Sequence, residues 1–494
     1  MRALPVLAIC VCGTACFKAR PSNGGGQISA AKAERQPRHS ANPYDIDVPV
    51  GYRIELVADK LTYPTGIAFD DANQAYVTES GYAPGEVFGT PRVVRLGPNG
   101  KTFEMKLEHA ADGPWNGIAY ADGALIVAQG GERYGGKIVR YPIEGDKLGR
   151  PQVLVDSLPS VGDHHTNGPI VRDGWVYFGQ GTATNSGVVG LDNKDMGWLT
   201  RQPAFHDTPC EDITLTGLNF TTKNILRGEG DATTGAFMPF ATPSTPGQLI
   251  KGALPCNGAI MRVRATGGPI ELVAWGFRNP YGLAFDERGN LFATDNGYDV
   301  RGSRPVFGSA DMLWRVERGR WYGWPDYSEG RPLTADWYSE DKGAPKGFVM
   351  AKHPSAPPDP SIYFPCHSSA DGFDFSRSDG FGHVGEAFVA LFGDQAPAVG
   401  KVLNPVGFAV MRVNPQTGAL DYFARNRGDD AGPASKRKNN GLERPIAARF
   451  DHDGNALYIV DFGVLRMSDK GAEAIPQTGK VWRITKEPVN VAHR

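Results

Sequence analysis

Three short stretches of this chain gather residue types that move protons and hold anions. Asp163-His164-His165 sets two imidazoles in tandem, Arg278-Asn279 sets a guanidinium beside an amide, and Glu443-Arg444 sets a second guanidinium after a carboxylate. Imidazole titrates near pH 6.5, so it can take or give a proton at physiological pH. Guanidinium stays charged and donates in a fork, which suits an oxygen that becomes anionic. Together they fit a reaction in which a hydroxyl loses a proton while negative charge develops nearby. Trp115-Asn116 and His367-Ser368 carry further groups of this kind. The tandem histidines are a poor metal pair, because neighbours on a strand point to opposite faces.

These residues need elements that bring them together, and an internal repeat supplies them. One phrase is written six times: a small or glycine start, an apolar strand, an Asp/Gly turn and a second apolar strand. The copies are PTGIAFDDANQAYVTESG from Pro64, WNGIAYADGALIVAQGG from Trp115, TNGPIVRDGWVYFGQGT from Thr166, PYGLAFDERGNLFATDNG from Pro280, SADGFDFSRSDGFGHVGEAFVALFGD from Ser369 and RPIAARFDHDGNALYIVDFG from Arg444. Each is a strand pair closed by a tight turn. Outer strands are expected from RVVRLGPNGKTFEM, KIVRYPIEGDKL, AIMRVRATGGPIELVA, MLWRVERGRWYGW, FAVMRVNPQTGALDYFA and KVWRITKEP. The reading is an all-β, six-bladed β-propeller with long loop insertions after the third and fourth copies. A β-sandwich array would not repeat one inner-strand phrase. In a propeller the inner strands start at a central channel, so the polar residues just before each copy face one another there.

At this point the chain resembles the soluble glucose/sorbosone dehydrogenases, six-bladed propellers that use pyrroloquinoline quinone (PQQ). The resemblance runs from about Gly51 to Arg483 and is carried most strongly by GFRNPYGLAF and by Tyr322-Gly323-Trp324-Pro325. The segments TGAFMPFATPSTPGQLI and CNGAIMRV look like the sorbosone-type branch. The resemblance implies oxidation of a sugar (an aldose, a sorbosone-like aldehyde or a related alcohol) by hydride transfer to PQQ, with electrons passed to an external acceptor, a quinone or cytochrome. It implies a histidine base three residues before a glycine, which selects His165 relative to Gly168. Asp163 precedes His164 here rather than His165, so the choice between the two histidines stays open. Arg278 matches an arginine over the quinone oxygens, Asn279 an asparagine beside the cofactor, and Arg444 an arginine that pairs with cofactor carboxylates. Trp115 stands where the family has a glutamine and would stack on the cofactor. Leu442 stands where the glucose enzymes have another arginine, and Lys401 lies several residues too early for the family's cofactor lysine. Calcium is implied through the carbonyls of Gly297 and Tyr298, since a hard cation takes oxygen ligands. Asp311 falls on an aspartate near a second, structural calcium, but Met312 replaces the glutamate beside it. Asp295 and Asp299 read as surface turn residues.

Composition bounds the rest. A net charge of −2 over 494 residues, with the arginines scattered, gives no field for nucleic acid. Residues 1–16 read as an export signal, a possible lipoprotein signal ending at Cys16, whose lipid would be the chain's only membrane contact. Residues 17–43 read as a flexible tether and 44–490 as the propeller. The expected location is therefore exported, in the periplasm or lipid-anchored to the bacterial envelope. Of the exported cysteines, Cys210 and Cys256 are the expected disulfide, leaving Cys366 as a thiol. Two rival functions remain: a calcium-dependent propeller lactonase or esterase, and a non-catalytic propeller that binds a glycan or a protein.

Overall fold

The computed structural model describes residues 41–107, 113–131, 133–339, 347–396, 398–400, 404–468 and 470–488. The expected signal, nearly all of the expected tether, and Lys401 lie outside the described residues. Among the described residues, no helix is long and apolar enough to cross a membrane.

Six antiparallel sheets form a β-propeller, and each copy of the repeated phrase becomes the two inner strands of one blade. Those pairs are Pro64–Phe69 with Ala75–Glu79, Trp115–Ala121 with Ala124–Gln129, Thr166–Arg172 with Trp175–Gln180, Pro280–Phe285 with Leu291–Asp295, Ala370–Phe375 with Ala387–Leu391, and Pro445–Phe450 with Ala456–Asp461. They define blades 1 to 6 in chain order. Each innermost strand packs on the next, and that of blade 6 packs on that of blade 1, closing the ring. The closure is non-covalent: blade 6 takes its outermost strand, Tyr52–Leu61, from the N-terminal side, in register with Gly479–Lys486 from Tyr52 opposite Lys486 to Leu61 opposite Gly479. A strand from the start of the fold thus completes the last blade, and its backbone hydrogen bonds tie the two ends of the ring together.

The small residue near the start of each copy has a packing reason. A Cβ added to Gly117 would stand 1.7 Å from the Gly168 carbonyl oxygen, and one on Gly282 2.3 Å from that of Asp371. Neighbouring inner strands meet backbone to backbone at these points, which only glycine allows. The polar residue at the end of the second strand also has a role. Asp295 accepts from the backbone N–H groups of Arg278 and Asn279, at 3.1 and 2.7 Å. Asp461 does the same for Glu443 and Arg444, both at 2.8 Å. The acid thus fixes the backbone that carries each arginine.

Blade 4 departs from the expected strand order. Asp311–Val316 is its third strand, but the fourth is Ile362–Phe364. The segment expected to follow as a strand instead turns at Gly319 and runs along blade 3, where Trp321 bridges Trp275. This carries Tyr322 to Pro325 toward the channel mouth. The insertions at 181–258, 296–310 and 317–361 are knitted together by Arg304, which is 1% exposed. Its guanidinium donates to the carbonyls of Ser186 (3.1 Å) and Gly347 (2.8 Å) and to Asp326 (2.7 Å). Cys210 and Cys256 are bonded, clipping the first insertion at its base.

Candidate active site

The blade 3 hairpin continues past its first strand. Asp163 N–H donates to the Ala183 carbonyl at 3.0 Å, His164 N–H to Thr182 at 3.1 Å, and Gly181 N–H to His165 at 3.0 Å. Strand alternation then sends the two imidazoles apart. His164 Nδ1 donates to the Thr182 carbonyl at 3.0 Å. His165 Nδ1 donates to the Ser160 carbonyl at 2.8 Å, and its ring stands edge-on to Tyr82. A carbonyl can only accept, so both rings carry a proton on Nδ1. Burial, then the charges of Arg278 and Arg301, hold His164 well below the usual imidazole range. Asp163 turns away from both rings and accepts from Asn193, Trp198 and Arg301.

Arg278 is 3% exposed, and its side chain is held by Asn185 and Asp299. Nε donates to the Asn185 carbonyl (3.2 Å), and Nη2 to Asn185 Oδ1 (3.0 Å) and Asp299 Oδ2 (2.7 Å). Nη1 makes no hydrogen bond to the described residues. Asp299 also accepts from Arg301 Nε at 2.8 Å, and His367 Nδ1 faces its other oxygen at 3.6 Å. Burial would raise the Asp299 carboxyl, but the two guanidiniums outweigh it and keep the group well below its ordinary value. Asp299 and Asp295 are therefore buried supports, not the surface turn residues expected from sequence. The propeller places both under its insertions. Trp324 completes this wall, its Nε1 donating to the Asn185 carbonyl at 3.2 Å.

Below the mouth, four asparagines form an arc across three blades. Asn116 donates to Asn167 (3.2 Å), Asn167 to Asn279 (2.8 Å), Asn279 to Asn296 (2.7 Å), and Asn296 to the Ala370 carbonyl (3.1 Å). The last acceptor cannot donate, so it fixes the direction of every amide before it.

Other expected site residues are placed differently. Trp115 is fully buried in the core shared by blades 1 and 2, 6.2 Å from Tyr141, and does not line the mouth. Its side chain points into the sheet packing because Asn116, one residue on, takes the channel side. Arg444 lies between the rings of Phe392 and Phe408 and donates to the carbonyls of Gly393 (2.9 Å), Asp394 (3.0 Å) and Leu465 (3.3 Å). Burial pushes it down to about 10. Its fork is spent on joining blades 5 and 6. Asp311 is likewise committed, accepting from Gly297 N–H (2.7 Å), the Ser368 hydroxyl (3.0 Å) and Ala370 N–H (3.3 Å). The carbonyls of Gly297 and Tyr298 accept no hydrogen bond from the described residues, which suits an oxygen-seeking cation. No group of three or more His, Cys, Asp or Glu side chains that could hold a metal occurs among the described residues. Asn185, Arg301 and the supporting role of Asp299 have no signal in the repeat, since they sit in insertions whose course is irregular.

Fold and site together define a six-bladed propeller in which a guanidinium and two imidazoles, those of His164 and His367, meet beside Asp299, with His165 on the other face of the same strand. A model of the glucose/sorbosone dehydrogenase family matches residues 257–395, the stretch that contains Arg278, Asn279, Gly297, Asp299 and His367. Among solved structures, the chain is similar to the PQQ-bound aldose sugar dehydrogenase of Streptomyces coelicolor (TM-score 0.50, 16% identity, 89% of this chain and 99% of that one). It is also similar to the holo PQQ domain of pyranose dehydrogenase from Coprinopsis cinerea (TM-score 0.54, 16%, 91% and 98%). A third is the calcium structure of a Trichoderma reesei carbohydrate-active enzyme of family AA12 (TM-score 0.53, 14%, 91% and 98%). At these identities the likeness speaks for the fold. A search of the curated proteins finds no match.

Proposed function

We propose that this protein is an exported quinoprotein that oxidises a sugar, using PQQ and calcium and passing electrons to an external acceptor. The observation that carries the reading is the state of Arg278: clamped on two nitrogens, it keeps Nη1 for an oxygen that gains charge. The family match over residues 257–395 and the PQQ-containing structural relatives support it. PQQ would supply the electrophilic centre that accepts hydride. The residues fit it in part: Arg278 would hold a quinone oxygen, Asn279 keeps one amide N–H for it, and the free carbonyls of Gly297 and Tyr298 would take calcium. Arg444 and Trp115 do not add to this grip, so anion pairing is lighter than the family pattern implies.

His165 takes the hydroxyl proton in this reading. A general base works best with a pKa near the working pH, and His164, buried between two guanidiniums, is too weakly basic. His164 and Asp163 support the wall instead. The sorbosone-type substrate and the lipid anchor at Cys16 are parts of the same proposal. The lactonase reading is disfavoured, because the amide oxygens of Asn167, Asn279 and Asn296 already accept from one another along the arc. The test is to add PQQ and calcium to the purified protein and measure dye reduction with a panel of aldoses beside lactone hydrolysis. Dye reduction that is abolished in Arg278→Ala and His165→Ala supports the reading. Lactone hydrolysis without dye reduction overturns it.

A further inference from the structure

His367 lies between the outer strand of blade 4 and the inner strand of blade 5. Its φ is +63°, a left-handed conformation that a non-glycine residue adopts only where its surroundings hold it. The turn is pinned by Ser368, whose hydroxyl donates to Asp311 at 3.0 Å. This backbone delivers a nearly buried ring, 7% exposed, with Nδ1 3.6 Å from one Asp299 oxygen. The other Asp299 oxygen takes Arg278 Nη2 at 2.7 Å. One carboxylate thus stands between this imidazole and the guanidinium that the proposed reaction uses. Nε2, on the far side of the ring, makes no hydrogen bond to the described residues.

We infer that His367 is a second acid–base residue of the site, the one that gives a proton to an acceptor oxygen held at Arg278. This rests on the proposed sugar oxidation. Oxidising an alcohol carbon removes a hydride and a proton: the C–H electron pair goes to the quinone acceptor, and the O–H proton goes to His165. A quinone that has accepted hydride still needs one proton to become the neutral hydroquinone. The His367 Nε2–H bond breaks and an O–H bond forms at the acceptor. Nδ1 keeps its proton facing Asp299, and the neutral ring regains its other proton from solvent. Burial disfavours the charged ring, but Asp299 and, further off, Asp311 outweigh it against the opposing charge of Arg278, so the ring's pKa is raised. Asp299 also acts on His164, but burial and the charges of Arg278 and Arg301 outweigh it, and His165 donates to a carbonyl, so neither is built as a standing donor.

Two measurements test this. In the apo protein, ¹⁵N spectra should show His367 doubly protonated at pH 7, the signal being assigned by its loss in His367→Gln. A neutral ring in the wild-type protein overturns the inference even if the variant misfolds. In protein loaded with PQQ and calcium, His367→Gln should keep its PQQ affinity by fluorescence titration while kcat falls roughly 10²-fold, with partial rescue by added imidazole. An active wild type beside a variant with unchanged kcat overturns this role alone. A wild type that binds PQQ yet reduces no dye with any aldose overturns the sugar-oxidation reading as well.

Discussion

Asn185 holds Arg278 from two directions: its carbonyl accepts from Nε at 3.2 Å and its side-chain oxygen from Nη2 at 3.0 Å. The same amide donates to the Asp299 carbonyl at 2.9 Å, so one residue of the first insertion fixes both partners of the buried ion pair. The guanidinium's direction is therefore set by a loop, not by the strand that carries it.

Replacing Asn185 with Ala should leave the charge of Arg278 but loosen its aim. If the site oxidises sugars, kcat should fall by about tenfold in Asn185→Ala and by roughly 10²–10³-fold in Arg278→Ala, the scale seen when one oxyanion donor is removed. Arg278→Lys should behave like the alanine variant, since ammonium cannot reproduce the fork. Steady-state dye reduction checks this, and equal losses in Asn185→Ala and Arg278→Ala would contradict the graded effect.

Arg444 gives a test of structure against ligand binding. Its donors all end on backbone carbonyls that join blades 5 and 6. Arg444→Met should therefore cost about 2–3 kcal/mol of stability, by the worth of hydrogen bonds to a charged group. Urea titration reads this directly. A variant of unchanged stability with a much weaker PQQ affinity would return Arg444 to the cofactor.

The amide arc predicts coupling between distant blades. Asn296→Leu removes the donor to Ala370 and leaves Asn279 without its acceptor. The expected cost is about 1–3 kcal/mol, since buried polar groups lose their partners. Combined with Asn167→Leu, the penalties should be less than additive, because both variants break one chain. Strict additivity in a double-mutant cycle would count against a connected arc.

Several buried acids predict the pH dependence of stability. Burial pushes Asp207, Asp295 and Glu443 each up to about 7. Their folded values lie above the unfolded ones, so the stability they contribute is complete below about pH 4 and is lost as pH rises toward 7. Asp299 works the other way, since its folded value is depressed and its contribution disappears only in acid. Between about pH 4.5 and 7, Tm should therefore fall with rising pH. Asp207→Asn should flatten that slope by up to about 1.4 kcal/mol per pH unit. A Tm that climbs steadily through this window would contradict the assignment.

The Cys210–Cys256 bond closes a loop of sequence separation 46. Asn257, next to Cys256, donates to the carbonyls of Pro159 and Gly181, the backbone beside His165. Reduction should therefore cost about 2–4 kcal/mol and should also weaken the site, which thermal unfolding and dye reduction with and without a thiol reductant can separate.

The six blades were legible in the chain alone, because a period-2 apolar phrase with a small residue near its start can be buried only by pairing and by close contact with its own repeats. The chain also set Arg278 and Asn279 at a strand start, where the channel must lie. That Trp115 belongs to the core and Asn116 to the channel emerged with the assembled fold, since one residue of strand register exchanges the two faces. The fold also decided that Asp299 is buried, that the fork of Arg444 is consumed by carbonyls, and that His367 shares a carboxylate with Arg278. Those outcomes depend on contacts between segments distant in the chain, such as Asp299 with His367 and Arg444 with Gly393, and local periodicity holds no information about them.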